Sequence, residues 1–331
     1  MGIVGLPNVG KSTLFKLITK IEVNIANYPF ATIDPNVGVV TVPDERLQKL
    51  SAMSDTKKIV PAVVEFYDIA GLVKGASAGE GLGNQFLQHI RETSAIVHVV
   101  RCFQSDEIIH VELGVDPLRD VDIIETELML KDLDTVEKRL SKLESEAKSG
   151  DKQKAVDAEV LKKIKESLDK GVPVYVMGGD ILKENIMKEV NLLTAKPQIF
   201  LLNGDEGDVT EDLKNKIKSL KGDYIVLNLG KAENVNTLIK KAYEILGLMS
   251  FYTTGEIETR AWTIERGWKA PQAAGVIHSD FEKKFIRAEV INCDKLLEAG
   301  SWSKAKQKGW MRLEGKDYTM ADGDVVEIRH G

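Results

Sequence analysis

The 331-residue chain has only two cysteines, Cys102 and Cys293, far apart in sequence. Two such thiols support neither a disulfide framework nor a thiolate metal cluster, and they fit a reducing compartment. No stretch approaches the roughly 20 apolar residues that cross a bilayer, so no membrane contact is expected. The first residues run straight into a strand and a glycine-rich loop, which argues against a signal peptide and for a cytoplasmic protein. A strong basic excess is missing too: the net charge is −6, unlike that of a general nucleic-acid binder, although a local basic patch is not excluded. What remains, 43% apolar and 29% charged, is an ordinary globular composition at a length that suits two or three domains.

Against these absences stands one strong local signal. Gly5-Leu6-Pro7-Asn8-Val9-Gly10-Lys11-Ser12 fits G-x-x-x-x-G-K-[ST] at every fixed position. Gly2-Ile3-Val4 before it reads as a short buried strand, and Thr13 to Ile18 after it has helical spacing of apolar residues. Glycines let successive N–H groups converge on phosphate oxygens, and the helix adds its positive end. Asn8, Val9, Gly10, Lys11, Ser12 and Thr13 are therefore candidate nucleotide-binding residues. Lys11 is expected to reach the β and γ phosphates, and Ser12 to ligate Mg²⁺.

A hydrolase of this kind needs a γ-phosphate sensor and a second anchor for the ion. Val63 to Asp68 reads as a strand ending in a carboxylate, and Asp68-Ile69-Ala70-Gly71 is the D-x-x-G arrangement. Asp68 is the candidate second metal anchor, and the Gly71 N–H the candidate sensor. Between loop and strand, the turn-rich segment 27–38 offers Thr32 as a further hydroxyl for Mg²⁺, and Val37 to Val42 is expected to pair with 63–68. Five glycines within residues 71–83 are too many for a packed element.

A Ras-type enzyme has glutamine directly after the D-x-x-G glycine to orient the attacking water. Here that position is Leu72, so slow intrinsic hydrolysis is expected. His89 and His98 are the nearby imidazoles. His98 is carried as a catalytic candidate beside Lys11 and Gly71, with a packed core histidine as the alternative, since it sits in the apolar run Ala95 to Val100.

Base reading in guanine-specific relatives uses N-K-x-D after a strand. Pro197 to Leu202 reads as the strand here, but it ends in Asn203-Gly204-Asp205-Glu206, an N-x-x-E. Asn203 can pair with a purine edge, while the loss of the aspartate at its spacing weakens guanine preference and admits adenine. Asn203, Gly204 and Glu206 are the candidate base-site residues. Asp205 leaves open a guanine-preferring GTPase if the loop slips by one.

Residues 131–170 carry 11 Lys/Arg and 10 Asp/Glu. Leu133, Val136, Leu140 and Leu143, then Val156, Val160, Ile164 and Leu168, recur at helical spacing on either side of a turn at 147–151. An antiparallel helical hairpin is expected, either a solvated arm or one that touches a macromolecule. From about Leu248 the rhythm becomes that of a small β-rich domain: 251–254, 258–264 and 325–328 read as strands, and 281–287 looks less strand-like. Its 13 basic and 13 acidic residues leave it neutral, and its four tryptophans read as packing residues.

With these pieces placed, the chain closely resembles the YchF/Obg-like ATPase family, Obg-related members of the TRAFAC P-loop GTPases. The resemblance rests on GLPNVGKST at 5–13, YPFATIDPNVGVV at 28–40, DIAGLVKGASAGEGLGNQFLQHIRE at 68–92, HVVRCF at 98–103, RAWTIERGWKAPQAAGVIHSDFEKKFIRAEV at 260–290 and RLEGKDY at 312–318. It implies an α/β fold: a P-loop NTPase domain with a mixed, mostly parallel sheet over 1–118 and 176–247, a helical coiled-coil insert over 119–175, and a C-terminal TGS domain of β-grasp type over 248–331. It implies Mg²⁺-dependent hydrolysis of ATP more readily than GTP, with the equivalents of Ser12 and Thr32 on the metal, a hydrophobic residue at Leu72, and base recognition partly through the Gly204 carbonyl. A nucleotide switch associated with ribosomes or their subunits is the implied role. A ribosome- or RNA-binding protein with incidental hydrolysis is the alternative, and a monomer is expected. Gly204-Asp205 and Leu229 to Ala232 depart from the family's usual base-contacting residues.

Overall fold

The computed structural model describes residues 1–20, 36–68, 89–105, 108, 110, 114–147 and 151–331. Thr32, Gly71 and Leu72 lie outside them. The described residues fall into two compact units, one of residues 1–20, 36–38 and those between 66 and 235, the other of residues 39–65 and 236–331.

One six-stranded sheet is built on strands β1 (Gly2–Val4), β4 (Val63–Asp68), β5 (Ile96–Arg101), β6 (Gln198–Asn203) and β7 (Asp223–Val226), with β2 (Val37–Thr41) beside β4 in the order β2-β4-β1-β5-β6-β7. The pairs β1·β4, β1·β5, β5·β6 and β6·β7 are all parallel. Strands β5 and β6 are buried at every position, which is why they read as continuous apolar runs rather than as alternation. Register decides where the chemistry falls. Ile3 pairs Asp68, Val4 pairs His98, and Arg101 pairs Asn203, so the loop after β1, the carboxylate ending β4 and the amide ending β6 gather at the C-terminal edge of the sheet. Ligands in open α/β sheets bind at that edge, where the strand order reverses.

The expected hairpin is present and longer than its sequence signal. One helix spans Pro117–Ala147 and the next Lys152–Asp169, the second capped by Asp151, whose carboxylate accepts from Gln153 N and Lys154 N. Val136, Leu143, Val160, Leu161, Ile164 and Leu168 form the seam. Val156, expected on the stripe, is instead 52% exposed. Fully buried Leu161, which the expected stripe did not include, belongs to the seam instead. Asp132 lies inside this packing and accepts from Leu193 N, Thr194 N and Thr194 Oγ1, which satisfies a buried carboxylate that would otherwise be costly.

The second unit contains a six-stranded sheet in the order β11-β10-β12-β8-β9-β3, made from β3 (Lys58–Val60), β8 (Leu248–Thr253), β9 (Glu258–Glu265), β10 (Phe285–Asn292), β11 (Arg312–Glu314) and β12 (Asp324–His330). The Ala270–Ile277 helix covers its core, formed by Phe251, Ile264, Ala274, Ala288 and Val290, with Trp262 and Trp268 packed against it. Two findings correct the sequence reading. Phe285–Asn292 is a full eight-residue strand between β11 and β12; its register shift between Phe285 and Arg287 breaks the alternation that would have revealed it. The three-residue β3 joins this sheet by parallel pairing with β9, Lys58 opposite Glu258, a long-range pairing no local pattern announces. Among the described residues no helix is long and apolar enough to cross a membrane.

Candidate functional site: a phosphate-loop pocket

Two glycines let the loop after β1 turn. Gly5 has φ +152° and Gly10 φ +111°, and both positions are also sterically closed. A Cβ on Gly5 would stand 2.5 Å from the Val99 carbonyl oxygen, and one on Gly10 would stand 2.5 Å from Asn203 Nδ2, distances a methyl group does not reach without moving backbone or amide. Asn8, at φ 63°, supplies a further left-handed residue. The Lys11–Thr19 helix then begins with no side-chain cap, so its first-turn N–H groups present their positive end to an anion.

Lys11 is 9% exposed and folds back into the loop, its Nζ donating to Gly5 O at 3.0 Å and Leu6 O at 2.7 Å. Burial brings the ammonium down to about 8, opposed by the negative charge of Asp68. Asp68 is pushed above the usual aspartate range by its own burial, with Lys11 pulling the other way. The two groups therefore form a weakly screened pair at the phosphate end of the site.

Behind the loop, Asn203 Nδ2 donates to Val9 O at 2.8 Å, and Asn203 Oδ1 accepts from Leu229 N at 3.0 Å. The amide expected to pair with a purine edge is thus committed at both ends within the protein, where it joins three loops. Gly204 is buried, and a Cβ there would lie 3.0 Å from Asp208 Oδ2 and 3.2 Å from Cys102 Cβ, so Asp208 and Cys102 occupy the space that a bulkier residue would take. Asp205 turns outward, accepting from Asn228 Nδ2 at 3.1 Å and from Lys231 Nζ at 2.6 Å. Glu206 is exposed at the start of a 3₁₀ turn.

These elements enclose a cavity of about 600 Å³. Asn8, Gly10, Lys11, Ser12, Thr13 and Asn203 of the expected residues line it; Val9, buried beneath the loop, Gly204 and Glu206 do not. Its other wall comes from Phe103, Gln104 and Ile108 after β5, and from Asn228, Leu229 and Gly230 after β7. The β7 side was legible as the loop nearest the base. The β5 side was missed, and the signal that finds it is topological: in a parallel sheet the loop after the strand next to β1 opens onto the same edge. Fully buried Arg101 shapes that loop, donating to the carbonyls of Phe103, Ser105 and Ile108.

His98 does not line the cavity. It is 1% exposed, its ring lies 5.1 Å from that of Phe200, and its Nδ1 is 3.9 Å from Glu125 Oε1. Burial, then the nearby Lys11 charge, lowers it to about 3, while burial raises Glu125 to about 7. The pair is a neutral imidazole facing a carboxyl group that holds its proton well above the usual glutamate range.

No group of three or more His, Cys, Asp and Glu able to hold a metal occurs among the described residues. The donors present, exposed Ser12 and half-buried Asp68, are hard oxygens suited to Mg²⁺ when phosphate oxygens complete its shell. They fit that ion as a companion of a nucleotide rather than as a caged metal.

A family model described as a 50S ribosome-binding GTPase matches residues 1–129. The YchF-GTPase_C model, described as a protein of unknown function (DUF933), matches residues 248–331. The ribosome-binding ATPase YchF of Bacillus subtilis is 45% identical, the alignment covering 99% of this chain and 98% of that protein. The protein of that name from Mycoplasma genitalium is 46% identical over the same shares. Among solved structures, the Schizosaccharomyces pombe YchF GTPase superposes with a TM-score of 0.85 at 38% identity, covering 99% of this chain and 97% of that one.

Proposed function

The chain belongs to the YchF family, and from that premise we propose that it is a slow, Mg²⁺-dependent ATPase that associates with ribosomes and uses bound nucleotide as a switch. The observation that carries the reading is the 600 Å³ cavity with Lys11 and the uncapped helix start at one end and the β5, β6 and β7 loops at the other. A polyphosphate tail fits the first end, and a purine the second.

In this reading the loop N–H groups and the helix start hold the phosphates, and Lys11 moves from its loop carbonyls to the β and γ oxygens. Ser12 and Asp68 are the described residues that would hold Mg²⁺, with Thr32 as the further proposed ligand. The ion held there would supply positive charge beside the phosphate oxygens. Leu72 in place of a water-orienting glutamine supports a low intrinsic rate, with Gly71 as the proposed γ-phosphate sensor.

Adenine preference is the finer part of the proposal. Asn203 acts by tying the loops together rather than by touching the base, and Gly204 would offer its carbonyl. The exposed Asp205 carboxylate, already engaged by Asn228 and Lys231, motivates the second reading, a guanine-preferring GTPase. Calorimetric titration with ATP and GTP tests this; tighter GTP binding by tenfold, about 1.4 kcal/mol, would reverse the assignment. The relatives named as ribosome-binding support ribosome association, and with it a cytoplasmic location and contact with RNA. The domain division proposed is 1–118 with 176–247 for nucleotide, 119–175 for the coiled-coil insert and 248–331 for the TGS domain, in a monomer.

A further inference from the structure

Residues 39–65 hold no candidate site residue, yet they lie in sequence between Thr32 and Asp68, two of the proposed Mg²⁺ ligands. The chain leaves the first unit after residue 38, belongs to the second over 39–65 and returns to the first at residue 66. Its outgoing and returning ends are bonded to each other. Asp68 N donates to Asn36 O at 2.9 Å, and Val42 N donates to Ala62 O at 2.8 Å. The excursion is therefore a loop whose closed end carries Asp68.

Its far part is built into the second unit. Leu47 and Leu50 of the Glu45–Met53 helix are buried. Asp44 caps that helix, accepting from Arg46 N at 3.0 Å, and it also accepts from the Tyr252 hydroxyl. Arg46 bridges two carboxylates: Nε and Nη2 donate to Asp44 at 3.0 and 2.9 Å, and Nη1 donates to Asp322 at 2.7 Å. A guanidinium fork on two carboxylates makes strong, directed bonds. A second set of contacts lies further along. Thr56 Oγ1 donates to Gly255 O at 2.7 Å and lies 2.6 Å from Thr259 Oγ1, and Lys58 of β3 sits opposite Glu258 of β9. Every one of these partners belongs to the second unit. A hairpin loop serving only to join β2 to β4 needs about two to five residues and none of these bonds.

We propose that residues 39–65 are a strap through which the second unit sets the position of Asp68, with Arg46, Asp44 and Asp322 as positioning residues for Mg²⁺-bound nucleotide. The proposal rests on the nucleotide reading above and adds where that site is regulated. A strap fixed along its length presents Asp68 already ordered, so binding need not order it. Released at Arg46 or Thr56, the closed end gains freedom that the Mg²⁺–nucleotide complex must remove. The effect is confined to ligands that use the metal, because the phosphate-loop N–H groups and Lys11 lie outside the strap. The coupling is reciprocal: a partner held by the second unit alters Mg²⁺–ATP affinity, and the nucleotide alters the hold on that partner by the same factor.

The test uses the full chain, titrated calorimetrically with ATP plus Mg²⁺ and, separately, with ADP in excess EDTA. Arg46→Ala and Thr56→Val are both expected to weaken Mg²⁺–ATP binding, Arg46→Ala by about fivefold or more, and to leave metal-free ADP binding unchanged. Lys269→Ala breaks the exposed 2.8 Å pair with Asp317 in the same unit, off the strap, and is expected to match wild type with both ligands. Thr56→Val decides the question should Arg46→Ala fail to fold. Wild-type Mg²⁺–ATP affinity in the folded strap variants, an equal loss with both ligands, or the same loss in Lys269→Ala would overturn the proposal. Wild type binding neither ligand defeats the nucleotide reading itself, whereas wild type binding Mg²⁺–ATP with the strap variants unaltered defeats only the strap.

Discussion

Asn203 Nδ2 donates to the Val9 carbonyl at 2.8 Å, joining residues 194 positions apart and holding the end of β6 against the phosphate loop. With its oxygen accepting from Leu229 N, the side chain is a three-way tie between loops that share a cavity but no sequence neighbourhood.

If Asn203 positions loops rather than reads a base, Asn203→Ala should weaken ATP and GTP alike. Two buried backbone groups lose their partner, each costing about 1–3 kcal/mol when left unsatisfied, so affinity should fall by at least about fivefold for both nucleotides. Calorimetry on the pair checks this. A loss confined to one base would instead assign Asn203 to base recognition.

Lys11 makes binding depend on pH. Held near 8 by burial, its ammonium is partly deprotonated above that value, and a triphosphate beside it favours the charged form. Nucleotide binding should therefore take up a proton at about pH 8.5, and affinity should decline as pH rises through that region. Titrations in two buffers of different ionisation heat measure the uptake. Lys11→Met should bind far more weakly and show none; equal uptake by both would remove Lys11 from this role.

Glu125 and His98 act on stability with opposite signs. Glu125, raised from 4.5 to about 7, gives the folded chain an extra proton between those values, so its contribution falls as pH rises across that window. His98, lowered from 6.5 to about 3, leaves the folded chain one proton short, so its contribution falls as pH drops below 6.5. Between about pH 4.5 and 6.5 the two slopes offset each other. Glu125→Gln removes one of them, and the variant should lose stability relative to wild type as pH falls, by up to about 1.4 kcal/mol per unit. Urea unfolding at several pH values gives the comparison, and parallel curves would contradict the assignment.

Asp205 separates the two base preferences. Its carboxylate bonds Asn228 and Lys231 at the surface, and Asp205→Ala should leave the ratio of ATP to GTP affinity unchanged. A selective loss of GTP binding would support the guanine reading.

The phosphate end of the site was legible because its chemistry is local: glycines, Lys11 and Ser12 must follow one another for the backbone to close on an anion. The hairpin and the buried strands β5 and β6 were legible from apolar spacing. The rest depends on contacts that spacing does not encode. Phe103 and Gln104 enter the cavity because β5 lies beside β1, a matter of strand order. That Asn203 bonds both Val9 and Leu229 is not visible in its sequence context. His98 could be packed or catalytic by sequence; burial against Phe200 and Glu125 is a tertiary fact. Strand β10 was hidden by its bulge, and β3 by its brevity and the distance to its partner.

The central claim is that the cavity around Lys11 takes a magnesium-bound adenine triphosphate. Calorimetric titration of the full chain with ATP and GTP, each with Mg²⁺, tests it directly. Saturable uptake of ATP at one site, tighter than GTP and strongly weakened by Lys11→Ala, is the expected result. No saturable heat with either nucleotide, or binding indifferent to Lys11→Ala, would contradict it.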